Sequence, residues 1–329
     1  MKAVVIAGVG EVEVTTVPDP TPGPREVVVA VAGCGICGTD LHILDGEFAP
    51  TLPVVPGHEF AGEVVGAGAD VDEVSVGDLV AVDPSLHCGE CYYCRRGRGN
   101  LCERWAAIGV STAGGAADYA VAPVANCFRL PAESDAADAA LIEPLSCAVR
   151  GFDVLQPQMA DHFLIYGAGT MGLMMMELAK RAGAASVSMV DLNPTRLETA
   201  RLLGCTAAVT SADELDRLRG WDVVIDCTGV VAAIEDGLSR VAPGGTFQQF
   251  GVSAEKAVAR FSPFRVYNKE IRIVGSMAVL HSFERAGELF AAGVLRPDIM
   301  ISDRFALDDY RKALDQFRAG VGRKVQVQP

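Results

Sequence analysis

The sequence has few aromatic side chains and little positive charge. Phe, Trp and Tyr make up 6% of its 329 residues, so its cores must be mostly aliphatic. Lys and Arg number 28 against 42 Asp and Glu, a formal net charge of -14. Nucleic acid and anionic membrane surfaces call for a basic face, so neither is an expected partner. No uninterrupted apolar run is long enough to span a bilayer. The opening segment MKAVVIAGVGEVEV has a short apolar run, but Glu11 and Glu13 follow at once and no cleavage-like stretch appears. It reads as a hairpin rather than a leader peptide, and a cytoplasmic location is expected. Internal repeats and low-complexity tracts are also lacking.

What is present is a chain of two-domain length, 50% hydrophobic and 21% charged. Up to about residue 125, short Val-rich runs (Ala3–Ile6, Val27–Ala32, Glu63–Val65, Leu79–Val82) alternate with Gly/Pro/Asp turns and read as β-structure. The four prolines between Pro18 and Pro24 make a rigid connector. From Phe163 the rhythm changes. FLIY, SVSMV, DVVID and TFQQF alternate with helical stretches at Met171–Gly183, Thr195–Leu203 and Ala232–Val241. That alternation predicts an α/β fold with a doubly wound parallel sheet, completed by a strand at Ile271–Val274. Two amphipathic helices, Ser282–Ala292 and Leu307–Arg318, and a strand at Lys324–Val327 close the chain.

Ten cysteines in an ordinary globular composition point to metal ligands in a reducing compartment rather than to disulfides. Four of them, Cys88, Cys91, Cys94 and Cys102, fall within fifteen residues at C-x2-C-x2-C-x7-C spacing. Gly89, Gly97 and Gly99 stand where tight loops need them. Such a quartet suits zinc. An iron–sulfur cluster is the main competitor, but the fourth cysteine comes late and no proline follows it. The acidic chain argues against a DNA-binding finger.

FLIY runs into Gly167-Ala168-Gly169-Thr170-Met171-Gly172 and then a helix, the G-x-G-x-x-G pattern in its required strand–helix context. Gly167 permits the turn, Gly169 lets backbone approach a pyrophosphate, and Gly172 allows close helix–strand packing. Asp191 ends the next strand, nineteen residues after Gly172, where a carboxylate accepts both ribose hydroxyls of NAD. No arginine immediately follows it, which favours NAD over NADP. Arg196 can stack on an adenine or form a surface ion pair. Thr228, Gly251 and Val252, at two further strand ends, complete the expected cofactor residues. Cys227 reads as a small buried residue.

Other candidate ligands are scattered. GCGICGTDLHILDG holds Cys37, Thr39, Asp40 and His42; GHEFAGEVVGAG holds His58 and Glu59; LIEPLSC holds Glu143. Cysteine, histidine and carboxylate are the donors of a catalytic zinc with an open position. Taken singly, each has a plain reading: a core histidine, a surface charge, a buried small residue.

Together, CGICGTDLH, GHEFAGEVVGAG, VGDLVAV, the cysteine lobe, GAGTMG and the EPL segment make the chain resemble the zinc-dependent medium-chain alcohol dehydrogenases, over essentially its whole length. The resemblance implies a GroES-like β-barrel catalytic domain (1–148 and 279–329, with a zinc lobe at 84–104), an inserted Rossmann domain (149–278), and an active site in the cleft between them. It further implies two zinc ions and NAD. Cys37, His58 and Glu143 would hold the catalytic zinc, with Glu59 an alternate ligand or neighbour, and the four-cysteine lobe would hold a structural zinc. Lewis-acid activation of a hydroxyl would precede hydride transfer to nicotinamide. Thr39, the cofactor ribose and His42 would relay the proton, and Asp40 would support the zinc shell.

Glu143-Pro144-Leu145 resembles the polyol dehydrogenase branch, so a secondary alcohol on a polyol, sugar alcohol or cyclitol is the expected substrate. Sorbitol dehydrogenases carry an Arg-Tyr pair where this chain reads Ser276-Met277-Ala278-Val279-Leu280-His281, which argues against sorbitol itself. Threonine and butanediol dehydrogenases share the CGTDLH motif and remain alternatives, as does a zinc-binding module without catalysis. Trp105 and Thr112–Gly115 are candidates for the pocket wall. A homodimer or homotetramer is expected from the family.

Overall fold

The computed structural model describes residues 1–47 and 52–329. Those residues divide into two compact units, Met1–Ser146 with Ala278–Pro329, and Cys147–Met277.

The first unit is built on a seven-stranded sheet. The path runs Ile301–Ala306, Lys324–Gln328, Glu26–Gly35, Glu59–Ala67, Leu79–Val82 and Cys127–Arg129, with Tyr119–Pro123 also paired to Glu26–Gly35. The last strand of the chain therefore sits beside strands from its first third. Val27, Val29, Phe60, Val64, Val80, Val325 and Val327 fill a largely aliphatic core, as the scarcity of aromatics requires. Lys2–Gly8 and Glu11–Thr16 form the expected antiparallel hairpin. The sequence pattern predicts one helix from Leu307 to Arg318. In the structure a 3-10 turn (Leu307–Asp309) precedes the α-helix Tyr310–Arg318, whose Tyr310, Ala313 and Leu314 face the core at helical spacing. A short helix, α1 (Gly38–Leu44), starts immediately after Cys37.

The second unit is a six-stranded parallel sheet. Its strands, numbered in chain order, are β1 (His162–Tyr166), β2 (Ser186–Val190), β3 (Ala207–Val209), β4 (Trp221–Asp226), β5 (Val241–Gln249) and β6 (Arg272–Gly275). Their spatial order is β3-β2-β1-β4-β5-β6 with every pair parallel, the doubly wound Rossmann order. The periodicity passes over β3, which at three residues is too short to register. It also misses α2 (Ile142–Leu155), the helix that carries Glu143 in its first turn. The helices α3 (Thr170–Arg181), α4 (Pro194–Leu202) and α5 (Val231–Arg240) join the strands. α3 is buried on most of its faces, through Leu173, Met174, Met175, Met176 and Leu178. Asn193 caps α4 by accepting from Thr195 N at 2.9 Å, and Pro194 supplies a preset first turn. No helix among the described residues is long and apolar enough to cross a membrane.

Candidate active site and metal centres

Cys37 is the N-cap of α1, and its backbone N–H donates to Asp40 Oδ2 at 2.8 Å. The turn therefore fixes Cys37 through Asp40, which is fully buried. His58 and Glu59 arrive on the strand Glu59–Ala67, and the donor atoms of Cys37, His58 and Glu59 lie within 4.8 Å of one another. Gly35, opposite Glu59 in the sheet, leaves room for its carboxylate: a Cβ would meet Glu59 Oε2 at 2.0 Å. Gly115 lies against the Phe60 ring, where a Cβ would approach within 2.4 Å, which places that segment close to the strand carrying Glu59.

Four further groups face this cluster. Asp40 Oδ1 stands 3.8 Å from His58 Nδ1, on the ring edge that orients the imidazole. Glu143, 8% exposed, has its carboxyl raised to about 7, first by burial, with His58 pulling down and Glu59 pushing up. Lys324 donates to Glu59 Oε1 at 2.8 Å, Glu59 Oε2 at 2.5 Å and the Ile36 carbonyl at 3.1 Å. Thr39 Oγ1 lies 3.8 Å from Cys37 Sγ. Burial pulls the His58 imidazole down, but the charge and hydrogen bond of Cys37, with Asp40 and Glu143, raise it well above its usual value. Burial also lowers the Lys324 ammonium, and Glu59 more than reverses the effect.

The donor set suits a zinc ion. One thiol, one imidazole and buried carboxylates converge, and ligand bonds of about 2.0–2.3 Å leave tetrahedral donors well under 4.8 Å apart. Glu59 is the carboxylate in the tight cluster. Glu143 faces it electrostatically. Lys324, which the motif reading missed, already engages both oxygens of Glu59. His42 pairs with Glu47 at the end of α1, its side chain 30% exposed.

The four cysteines of the loop also converge. Cys88 Sγ is 3.4 Å from Cys102 Sγ and 3.9 Å from Cys94 Sγ, and Cys91 Sγ is 3.9 Å from Cys102 Sγ. A tetrahedron with bonds of ~2.3 Å has edges of about 3.8 Å, so the spacing fits a closed zinc site. Backbone N–H groups point at the sulfurs: Cys91 N to Cys88 at 3.4 Å, Cys94 N to Cys91 at 3.5 Å and Arg104 N to Cys102 at 3.3 Å. Donated N–H bonds, that of Glu90 first, lower the Cys88 thiol to about 6. Desolvation and the neighbouring sulfurs raise Cys94 to about 12. With four sulfurs, no position is left for a substrate.

In the parallel sheet, Gly167 has φ +95°, and a Cβ on Gly172 would meet the Gly167 carbonyl at 1.7 Å. Only glycine serves at either place. Gly169 caps α3 with no side-chain bond, and Met171 lies in its first turn, so the first N–H groups of α3 are open to an anion. Asp191 accepts from Ala168 N at 2.7 Å and Asn193 N at 2.8 Å, which holds its carboxylate beside the glycine turn. Arg196 Nη1 is 3.9 Å from Asp191 Oδ2 and reaches back over Gly169. Thr228, Gly251 and Val252 follow the carboxyl ends of β4 and β5, where ligands bind in such sheets. Leu192, 86% exposed after β2, and Val230, 56% exposed after β4, are apolar surfaces the motif reading passed over. Burial and Asp226 push the Cys227 thiol well up.

Residues 23–132 match the alcohol dehydrogenase GroES-like domain, and residues 170–292 match the zinc-binding dehydrogenase domain. The chain belongs to the zinc-dependent medium-chain alcohol dehydrogenases. It is 36% identical to D-arabinitol dehydrogenase 1 of Uromyces fabae, over 92% of the chain and 90% of that protein. It is 35% identical to an L-threonine 3-dehydrogenase of Saccharopolyspora erythraea, over 95% and 94%. Among solved structures, a Sinorhizobium meliloti chain described as a zinc-binding dehydrogenase and bound to NADP has a TM-score of 0.96, with 36% identity, and covers 100% and 99% of the two chains. The dehydrogenase is thus an oxidoreductase of nicotinamide-dependent type.

Proposed function

We propose that this dehydrogenase oxidises a secondary hydroxyl of a polyol, sugar alcohol or cyclitol-like substrate to a ketone, with NAD as hydride acceptor. The observation that carries the reading is the convergence of Cys37, His58 and buried carboxylates in a chain that also has the glycine turn and Asp191. The likeness to a D-arabinitol dehydrogenase supports a polyol.

Cys37, His58 and Glu143 would hold the catalytic zinc, with Glu59 the alternate ligand, and Cys88, Cys91, Cys94 and Cys102 the structural one. The catalytic ion supplies Lewis acidity, which lowers the pKa of an alcohol. Thr39 accepts the hydroxyl proton at Oγ1 while giving up its own, and the His42 imidazole, part exposed and paired with Glu47, takes up a proton on the inner side as it releases one to solvent. Asp40 holds the backbone of Cys37 and faces the ring of His58, keeping both in place. The open N–H groups of α3 bind pyrophosphate, and Asp191 accepts from the ribose and repels a 2′-phosphate.

The test is a screen of NAD and NADP reduction against polyols, inositols, diols and L-threonine. Turnover of a polyol with NAD supports the proposal. Turnover of threonine or a diol alone would support the second reading, which the 35% identity to a threonine 3-dehydrogenase favours. Zinc binding with no turnover of any alcohol would leave a metal-binding module. A homo-oligomer is also proposed. β6 lies at the sheet edge with Ile273 43% exposed, and Phe264 and Tyr267 nearby are 71% and 83% exposed. Sedimentation analysis tests this.

A further inference from the structure

Asp226 ends β4 and is fully buried. Its Oδ1 accepts from Thr228 N at 3.1 Å and Thr228 Oγ1 at 2.5 Å. Its Oδ2 accepts from Gly229 N and from Gln249 Nε2, both at 2.9 Å. Its carbonyl takes Phe250 N at 3.0 Å and Gly251 N at 2.8 Å. Gln249 Nε2 also donates to Gly251 O at 2.7 Å, and Ser253 Oγ donates to Gly229 O at 2.7 Å. One residue therefore ties the loop after β4 to the loop after β5. The loops are in backbone contact: a Cβ on Gly229 would meet Val252 O at 2.1 Å, and one on Gly251 would meet Gly229 N at 2.4 Å.

We infer that Asp226 is a positioning residue for the cofactor, setting the relative placement of the Thr228 and Val252 loops. The inference rests on the reading that these loops receive the cofactor. The chemistry requires a carboxylate. Four donors converge, and an ionised carboxyl is acceptor-only with about four lone-pair sites. An amide would point N–H groups at donors. The arrangement also closes the turn that follows β4. Gly229 N is taken by Asp226, and Val230 N by Thr228 Oγ1 at 3.0 Å, so the backbone donors of the turn before α5 are satisfied from within. The Thr228 hydroxyl, donating to Asp226, is left to act on the cofactor through its methyl and backbone.

The test compares the parent holoenzyme with D226N, and with Q249L, which keeps the carboxylate and removes the cross-loop donor. NADH affinity by fluorescence titration, KM for NAD, zinc per chain and thermal midpoint are measured on each. In D226N, the Kd for NADH and KM for NAD are expected to rise roughly tenfold, since hydrogen bonds to a charged group are lost, with zinc content unchanged. Q249L should shift both in the same direction by less. A lowered thermal midpoint with Kd and KM within about twofold of the parent would make Asp226 merely structural and overturn the inference. Should D226N fail to fold, an unchanged Kd in Q249L overturns it equally. A parent chain that binds neither NADH nor NADPH would bring down the cofactor reading itself, a result distinct from either.

Discussion

Lys324 Nζ lies 2.8 and 2.5 Å from the two carboxylate oxygens of Glu59, and both side chains are at most 5% exposed. Removing one partner of such a pair strands a buried charge, whereas replacing both by apolar groups can be nearly neutral. K324M should therefore cost about 3–5 kcal/mol, and K324M/E59L should recover most of it. Chemical denaturation of the parent, single and double variants checks this. A single variant as stable as the parent would refute it.

The choice of zinc carboxylate turns on the same pair. With Glu59 held by Lys324, Glu143 is expected to be the ligand. E143A should lose about one zinc per chain, or most of its NAD reduction, without unfolding. E59Q should keep both zincs. Metal analysis after dialysis reads the difference, and reversed losses would make Glu59 the ligand. Iron should be absent from the parent.

Cys94 belongs to the four-sulfur cluster, where a bound metal would contribute folding energy. C94S should lower the thermal midpoint or disrupt assembly before it alters turnover per folded molecule. A variant with parental stability and abolished turnover would contradict that order.

The pH dependence of the metal-free protein has a definite sign. Glu143 is raised from the ordinary 4.5 to about 7, so above pH 4.5 the unfolded chain releases a proton the fold retains. Stability contributed there falls as pH rises from 4.5 to about 7, by up to about 3 kcal/mol. His58 is raised as well, so its stabilisation is full below about pH 6.5 and is lost as pH climbs through its folded pKa. The two slopes agree. Zinc requires both groups deprotonated, so the thermal shift between zinc-loaded and stripped protein should widen from pH 5 to pH 8. A gap independent of pH would rule this out.

Asp191 is held beside the glycine turn by Ala168 N and Asn193 N, with Arg196 at 3.9 Å. D191S should remove the repulsion of a 2′-phosphate and expose Arg196 to it. The NADP-to-NAD ratio of kcat/KM should rise by about tenfold or more. An unchanged ratio would move cofactor selection elsewhere.

Much of the architecture was legible because it rests on local rules. The change from Val-rich runs to strand–helix alternation announces a parallel sheet, and its five longer strands were visible in the periodicity. The sixth, Ala207–Val209, was invisible because three residues carry no pattern. Of the scattered ligand candidates, Cys37, His58 and Glu59 come together in the structure. Lys324 and Asp226 went unread for one reason. A lysine in RKVQV and an aspartate closing DVVID look like ordinary strand residues, and only burial gives them meaning.

The sequence alone determined which chemistries were available: spaced cysteines, a glycine turn ahead of a helix, an acidic group one strand later. These are short-range patterns, set by the periods of turns, strands and helices. Tertiary structure decided how those groups are occupied. Gln326 pairs with Gly35, and Gly35 pairs with Glu59, so sheet register carries Lys324 to a carboxylate 265 residues away in sequence. No local period encodes that meeting, because it depends on which strands lie side by side and in what register.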